Sequence, residues 1–110
     1  MDDIKELYPV RLCEHEIQDG LVVVLFKNTK PSFIERIFFK KLIEKPYKID
    51  LDEVGSFIWH LCEGNRSIAD IMKVTHDEFG ENIEPVEDRV TQFIKQMHKT
   101  KLIQLYKKVS

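Results

Sequence analysis

Residues 51–71 read LDEVGSFIWHLCEGNRSIADI, and this stretch holds the signals that begin and end one helix and begin a second. Asp52 can cap the first helix, and Gly64 can adopt the left-handed conformation that ends it. Ser67 can cap the second helix, with Asp70 at its third position. Between the caps, apolar side chains fall at i, i+3, i+4, i+7 and i+8, which predicts a buried helix face: Val54, Phe57, Ile58, Leu61 and Cys62.

Two further helical stripes follow this stretch. The second helix is predicted to end at Gly80, and its inner face comprises Ile68, Ile71, Met72, Thr75 and Phe79. The third is predicted to begin at about Pro85, and its inner face comprises Val86, Val90, Phe93, Ile94 and Met97. Glu84, Glu87 and Asp88 suit the positive end of that helix.

The residues before position 51 have the pattern of strands. Asp19-Gly20 separates the runs 12–18 and 21–26, and an Asp-Gly pair between two such runs is a strong hairpin signal. The second run is apolar on both faces, which predicts a central, covered strand. Residues 47–51 alternate as a short third strand, and residues 102–106 alternate again. The pattern predicts an α+β fold close to a winged helix, with a three-stranded antiparallel sheet packed on three helices.

Length and composition restrict the class of protein. The 110 residues fit a single domain, and the net charge of -2 argues against bulk binding to nucleic acid or to an anionic membrane. No N-terminal signal sequence and no run long enough to span a bilayer is present. Because Cys13 and Cys62 do not form a disulfide framework, we expect free thiols and a cytoplasmic location.

Residues 28–45 form a basic, amphipathic insertion between the second and third predicted strands. Ser32 could cap a short helix over 33–43, with Glu35 completing a capping box. Three interpretations remain open for this segment: a solvated flap, a docking surface for an enzyme partner, or the arm of a homodimer.

No residue pattern predicts catalysis, a metal or a cofactor. Cys13, His15, His60 and Cys62 could be imagined around one ion, but His60 and Cys62 point about 200° apart on a helix. A nucleophile pair of Cys62 with His60 or His98 is disfavoured because Cys62 belongs to the apolar stripe. We therefore expect a protein that is not an enzyme.

The ordered set Gly55, Trp59, Gly64 and Ser67 within residues 51–71 resembles the signature of the PqqD family. The later residues Phe79-Gly80, Val86, Asp88, Val90, Phe93-Ile94, Met97 and Leu102-Ile103 match the rest of that pattern in order, so the resemblance covers residues 47–106. It implies a domain that binds the leader segment of a ribosomally made precursor peptide. It also implies a separate modifying enzyme as partner, often a radical S-adenosylmethionine protein.

The resemblance further implies where the leader lies: beside the third strand, in a groove walled by the third helix. The implied peptide-binding residues are Tyr47, Lys48, Ile49, Asp50, Arg89, Phe93 and Gln96, with Thr100 a possible extension of the helical strip. Lys48 and Arg89 are expected to pair with acidic leader residues across the groove. Two alternatives remain open. Phe93 lies either in the groove or in the core, and Trp59 either packs in the core or serves as a contact residue.

The alternative function is a winged-helix nucleic-acid-binding protein, because the helical half has a similar order. A recognition helix places its first residues against DNA. Here Glu84, Glu87 and Asp88 would repel phosphates, which makes this alternative the weaker one.

Overall fold

The computed structural model describes residues 4–26 and 47–108, without the side chains of Phe26 and Tyr47. The strands are β1 (Tyr8–Arg11), β2 (Glu14–Gln18), β3 (Leu21–Phe26), β4 (Tyr47–Asp50) and β5 (Ile103–Tyr106). The helices are α1 (Glu53–Leu61), α2 (Ile68–Phe79) and α3 (Val86–Lys99), and short 3-10 turns occupy Ile4–Glu6 and Gly80–Ile83.

A three-stranded antiparallel sheet in the order β2-β3-β4 confirms the predicted α+β arrangement. Asp19 and Gly20 form the hairpin turn with φ angles of 54° and 80°, as the Asp-Gly pair predicts. Val22, Val23 and Val24 are all buried, so the central strand is covered on both faces.

A second sheet, which the sequence analysis missed, pairs β1 with β5. The terminal strand was therefore predicted correctly, but its partner was not. The far edge of β1 bonds to the α1–α2 connection, through Arg11 N–H to Cys62 O at 3.0 Å and Gly64 N–H to Pro9 O at 3.0 Å. The predicted first strand began too early, because Leu12 N–H donates to Leu102 O at 2.9 Å and thus extends the β1–β5 pairing.

Three of the four predicted helix caps are present. Asp52 Oδ1 accepts from Gly55 N–H at 2.7 Å at the start of α1. Ser67 and Asp70 bond reciprocally as a capping box at the start of α2, and Gly80 caps its end with a positive φ angle. Gly64 has a positive φ angle but does not cap α1, because Cys62 is the cap and the Gly64 N–H bonds to Pro9 O instead. Pro85 immediately precedes α3, one residue outside the helix.

The core lies between the helices and the inner sheet face. Its completely buried side chains include Ile58, Ile68, Ile71, Val90 and Ile94. Trp59 is 0% exposed, which confirms the prediction that it packs inside rather than serving as a contact. Phe93 is only partly buried against this core.

The expectations for the basic insertion, including its Ser32 cap, lie outside the described residues. Within the described ranges, no helix combines the length and apolar character needed to cross a membrane.

Candidate functional site

Strand β4 forms one edge of the three-stranded sheet. On one side it pairs with β3, and among residues 4–26 and 47–108 no strand pairs with its other side. Lys48 and Asp50 are exposed, whereas Ile49 between them is partly buried against the core. The alternation places Ile49 on the helix-facing side of the sheet and the two charged side chains on its outer side.

The register decides which backbone groups of β4 face outward. Leu51 N–H donates to Val22 O at 2.9 Å, and the ladder continues with Ile49 opposite Val24. Because hydrogen-bonded and non-hydrogen-bonded pairs alternate in an antiparallel ladder, residues 47, 49 and 51 direct their amides toward β3. The N–H and C=O groups of Lys48 and Asp50 therefore point to the outer edge, where a further strand could bond to them.

A buried serine holds this strand end against α1. Val22 N–H donates to Ser56 Oγ at 2.8 Å, and Ser56 Oγ in turn donates to Leu51 O at 3.4 Å. The hydroxyl is thereby inserted between two backbone groups that would otherwise bond directly. The end of β4 is fixed to the first turn of α1, immediately beside the outer edge.

A pocket of about 160 Å³ opens at the C-terminal end of β4, between the start of α1 and α3. Its lining consists of Asp52, Val54, Gly55, Arg89, Gln92, Phe93 and Gln96. Apolar surface from Val54 and Phe93 is thus bordered by one carboxylate, one guanidinium and two amides. Such a pocket can hold an apolar side chain and offer polar partners at its rim.

Gly55 allows α1 and α3 to approach closely at this pocket. A Cβ at position 55 would lie 3.0 Å from Phe93 Cε1 and 3.1 Å from Asp52 Oδ1. A glycine inside a helix costs about 1 kcal/mol against alanine, and the close approach of Phe93 explains why glycine is favoured here. Gly55 also lines the pocket, so a side chain there would change the pocket's floor as well as the packing.

The structure brings three of the predicted site residues together, because Arg89, Phe93 and Gln96 on α3 line one pocket. Lys48, Ile49 and Asp50 lie on β4, and none of them lines this pocket. Lys48 was expected to face the groove, but its side chain lies on the outer side of the sheet. Tyr47 belongs to β4, and the expectation for its side chain lies outside what the structure describes.

Four residues that line the pocket were not predicted as site residues: Asp52, Val54, Gly55 and Gln92. Gln92 could have been found, because position 92 lies three residues after Arg89 on the same helix face. Thr100 does not line the pocket; its hydroxyl donates to Gln96 O at 2.9 Å and so ends α3.

A larger cavity of about 510 Å³ lies elsewhere on α3, against the N-terminal 3-10 turn. It is lined mainly by polar and charged side chains, and the Lys5–Glu87 ion pair at 2.8 Å lies in it. Glu87 and Asp88 belong to the acidic first turn predicted for this helix. Its lining residues lie in the N-terminal 3-10 turn and in α3, whereas the lining of the smaller pocket includes Asp52, two residues after the end of β4.

The thiols have the character of structural cysteines. Burial raises the pKa of Cys62 to about 12, against a smaller opposing effect of Arg11, and its Sγ lies 3.3 Å from Ile58 O. Burial also raises the pKa of Cys13. Since the thiolate is the nucleophilic form, Cys62 is poorly suited to the nucleophile role considered from the sequence.

A histidine pair lies on the side of α1 that faces β2. The buried Trp59 donates its Nε1–H to His15 Nδ1 at 3.1 Å, and the His15 and His60 ring centroids are 5.5 Å apart. The tryptophan bond requires His15 to be neutral, with its proton on Nε2. Within the described parts of the chain, no three His, Cys, Asp or Glu side chains are grouped to hold a metal ion.

We expect acid to destabilise the fold through His15. Burial, then the charge of Arg11 and that of His60, lower the pKa of His15 below the ordinary histidine value of 6.5. Between pH 6.5 and the lowered pKa of the folded state, His15 binds more protons in the unfolded chain than in the folded one. The contribution of His15 to the free energy of unfolding is therefore full above pH 6.5 and decreases as the pH falls through this window. Urea unfolding monitored between pH 7.5 and 5 should show this decrease.

The matched variant for this measurement is His15→Asn, whose amide oxygen can accept the Trp59 bond but does not titrate. The difference in unfolding free energy between wild type and His15→Asn should change with pH across this window. A constant difference would show that His15 does not titrate differently on folding.

The fold and site together define a small α+β domain that presents a strand edge beside a helix-lined pocket. The family model for coenzyme PQQ synthesis protein D (PqqD) matches residues 44–103, which is more than half of the chain. The chain therefore belongs to the PqqD family, as the resemblance in its sequence implied. No curated protein and no solved structure matches it. PqqD domains are non-catalytic partner or chaperone domains of peptide modification, which supports that general kind of function here.

Proposed function

We propose that the chain captures the leader segment of a ribosomally made precursor peptide by adding it as a strand to β4, and presents it to a separate modifying enzyme. The single observation that carries this proposal is the outer edge of β4. Its Lys48 and Asp50 backbone groups point outward, and the pocket on α3 includes Asp52, two residues after the end of β4. A disordered leader gains main-chain hydrogen bonds there that do not depend on its sequence.

The pocket supplies the contacts that distinguish one leader from another. Phe93 and Val54 hold an apolar leader side chain, while Gln92 and Gln96 offer amides at the rim. Arg89 is exposed at the same rim and pairs with an acidic leader residue. Ordering a flexible peptide costs several kcal/mol, so we expect a dissociation constant on the order of micromolar.

Amide NMR shifts on titration with a leader peptide test the proposal. The probe is a synthetic peptide that carries the N-terminal leader of a candidate precursor. We expect the largest changes at Lys48, Asp50 and the pocket residues Gly55 and Phe93. Residues of β1 and β5 should change little, because they lie in the other sheet. Saturable shifts confined to β2, or to the larger cavity around Glu87, would refute capture at β4.

The modifying enzyme is proposed to be a radical S-adenosylmethionine protein acting in trans. A purified candidate enzyme should modify its precursor faster with the chain present than without it. A variant that fails to bind the leader should give no acceleration. If that variant accelerates the reaction as well as wild type, the presenting role is wrong.

A further inference from the structure

We propose that the captured segment carries the order apolar–basic–apolar–acidic from N- to C-terminus and adds antiparallel to β4. This inference rests on the proposed function and names the chemical class of its ligand. The two apolar side chains enter the groove between β4 and α3. The basic side chain lies beside Asp50 and the acidic one beside Lys48, on the outer side of the sheet.

The alternation follows from the register of β4. Residues opposite each other in an antiparallel pair have side chains on the same face of the sheet. Guest residues opposite Leu51 and Ile49 therefore face the helices, and those opposite Asp50 and Lys48 face outward. An antiparallel guest meets these positions in the order 51, 50, 49, 48, which fixes the order of its four residues.

The size of the pocket limits the first apolar residue. Leu51 is followed directly by Asp52, Val54 and Gly55 of the pocket lining, so the guest residue opposite Leu51 lies nearest to it. A volume of about 160 Å³ is close to that of a cavity that accommodates benzene, about 150 Å³. One branched aliphatic or one phenyl side chain fits, and an indole is too large for a close fit.

The charges of Lys48 and Asp50 select the two outward residues. Both side chains are exposed, and among the described residues neither takes part in an ion pair. Opposite charges directly across an antiparallel pair are favourable and like charges are unfavourable. Antiparallel addition is favoured because antiparallel pairs are slightly more stable per residue and commoner than parallel ones.

Two peptides of identical composition test the charge order. The first contains Val-Lys-Leu-Glu between neutral Thr-Ser flanks, and the second contains Val-Glu-Leu-Lys between the same flanks. Fluorescence anisotropy at low salt should show the first to bind about threefold to tenfold more tightly, with the ratio decreasing at high salt. The double variant Lys48→Glu with Asp50→Lys should reverse the preference.

The control is a matched charge exchange on α2, Lys73→Glu with Asp77→Lys, which leaves the edge unchanged and should retain the wild-type preference. A nitroxide on the peptide N-terminus should broaden Gly55 amide signals more than those of Lys48, because an antiparallel guest begins near the pocket. The opposite pattern would refute the antiparallel direction.

The outcomes separate the two proposals. If both peptides shift the Lys48 and Asp50 amides with equal affinity, or if the double variant keeps the wild-type preference, the charge order is wrong and edge capture stands. If neither of these peptides nor the natural leader shifts those amides, both proposals are wrong.

Discussion

Replacing Lys48 by proline is expected to weaken leader binding on the order of tenfold or more while the domain stays folded. Proline has no N–H, and its ring occupies the space through which a neighbouring strand approaches. The amide of Lys48 points to the outer edge, so no bond within the sheet is lost. A buried acceptor left without its donor costs about 1–3 kcal/mol, which corresponds to that loss of affinity. Calorimetric titration with the leader peptide measures it.

Lys48→Ala is the matched control, since it removes the charged side chain but keeps the N–H. It should bind with nearly the affinity of wild type if the backbone carries most of the interaction. Thermal unfolding should show that Lys48→Pro remains folded. Wild-type affinity in a folded Lys48→Pro variant would show that the leader does not add as a strand here.

Proline at Ile49 is unsuitable for this test. The sequence alone suggests that substitution only on the condition that the Ile49 N–H faces the outer edge, and in the structure it does not. The Ile49 amide points toward β3, so proline there would break the sheet instead of its outer edge. The sequence predicted strand β4 but not which of its backbone N–H groups face outward. Their direction depends on which residue pairs of the β3–β4 ladder are hydrogen-bonded, and the hairpin turn and Leu51 together determine that pattern.

The parts of the fold that could be predicted are those that depend on residues close together in the sequence. The Asp19-Gly20 turn, the Ser67 cap and the three helical stripes each depend on residues a few positions apart. Strand β1 could not be predicted in this way. It has only four residues, includes Pro9, and pairs with a strand more than 90 positions later in the chain.

The same distinction between local and long-range dependence applies to the candidate site. The resemblance implied Arg89, Phe93 and Gln96 as one strip of α3, and all three line the pocket because they share a face of this helix. The role of Ser56 could not be inferred, because its hydroxyl links Val22 of β3 to Leu51, which directly follows β4. The outward orientation of the Lys48 side chain likewise depends on the pairing of β4 with β3, which local sequence does not determine.

The largest loss of stability is expected for Trp59→Ala. Trp59 is 0% exposed, packs beside His15 on β2, and is the only tryptophan of the chain. Truncating a buried tryptophan to alanine costs about 3–5 kcal/mol, through lost burial and the cavity left behind. A small domain has only about 5–15 kcal/mol in total, so the variant should be marginally folded. Urea unfolding followed by circular dichroism measures the loss without depending on tryptophan fluorescence.

Two further variants assign the cause of that loss. His60→Ala changes the exposed neighbour on α1 and should cost well under half as much as Trp59→Ala, on the scale of surface substitutions. Trp59→Phe keeps much of the buried ring but removes the donor to His15 Nδ1, which lies at 3.1 Å. His15 is partly exposed and can bond to water instead, so this variant should lose less than the alanine variant.

An alanine variant that loses less than about 1 kcal/mol would contradict a central packing role for Trp59. Because Trp59 and the Ser56 link lie on the same helix that begins at the pocket, a weakened α1 should also lower leader affinity in proportion to the fraction unfolded.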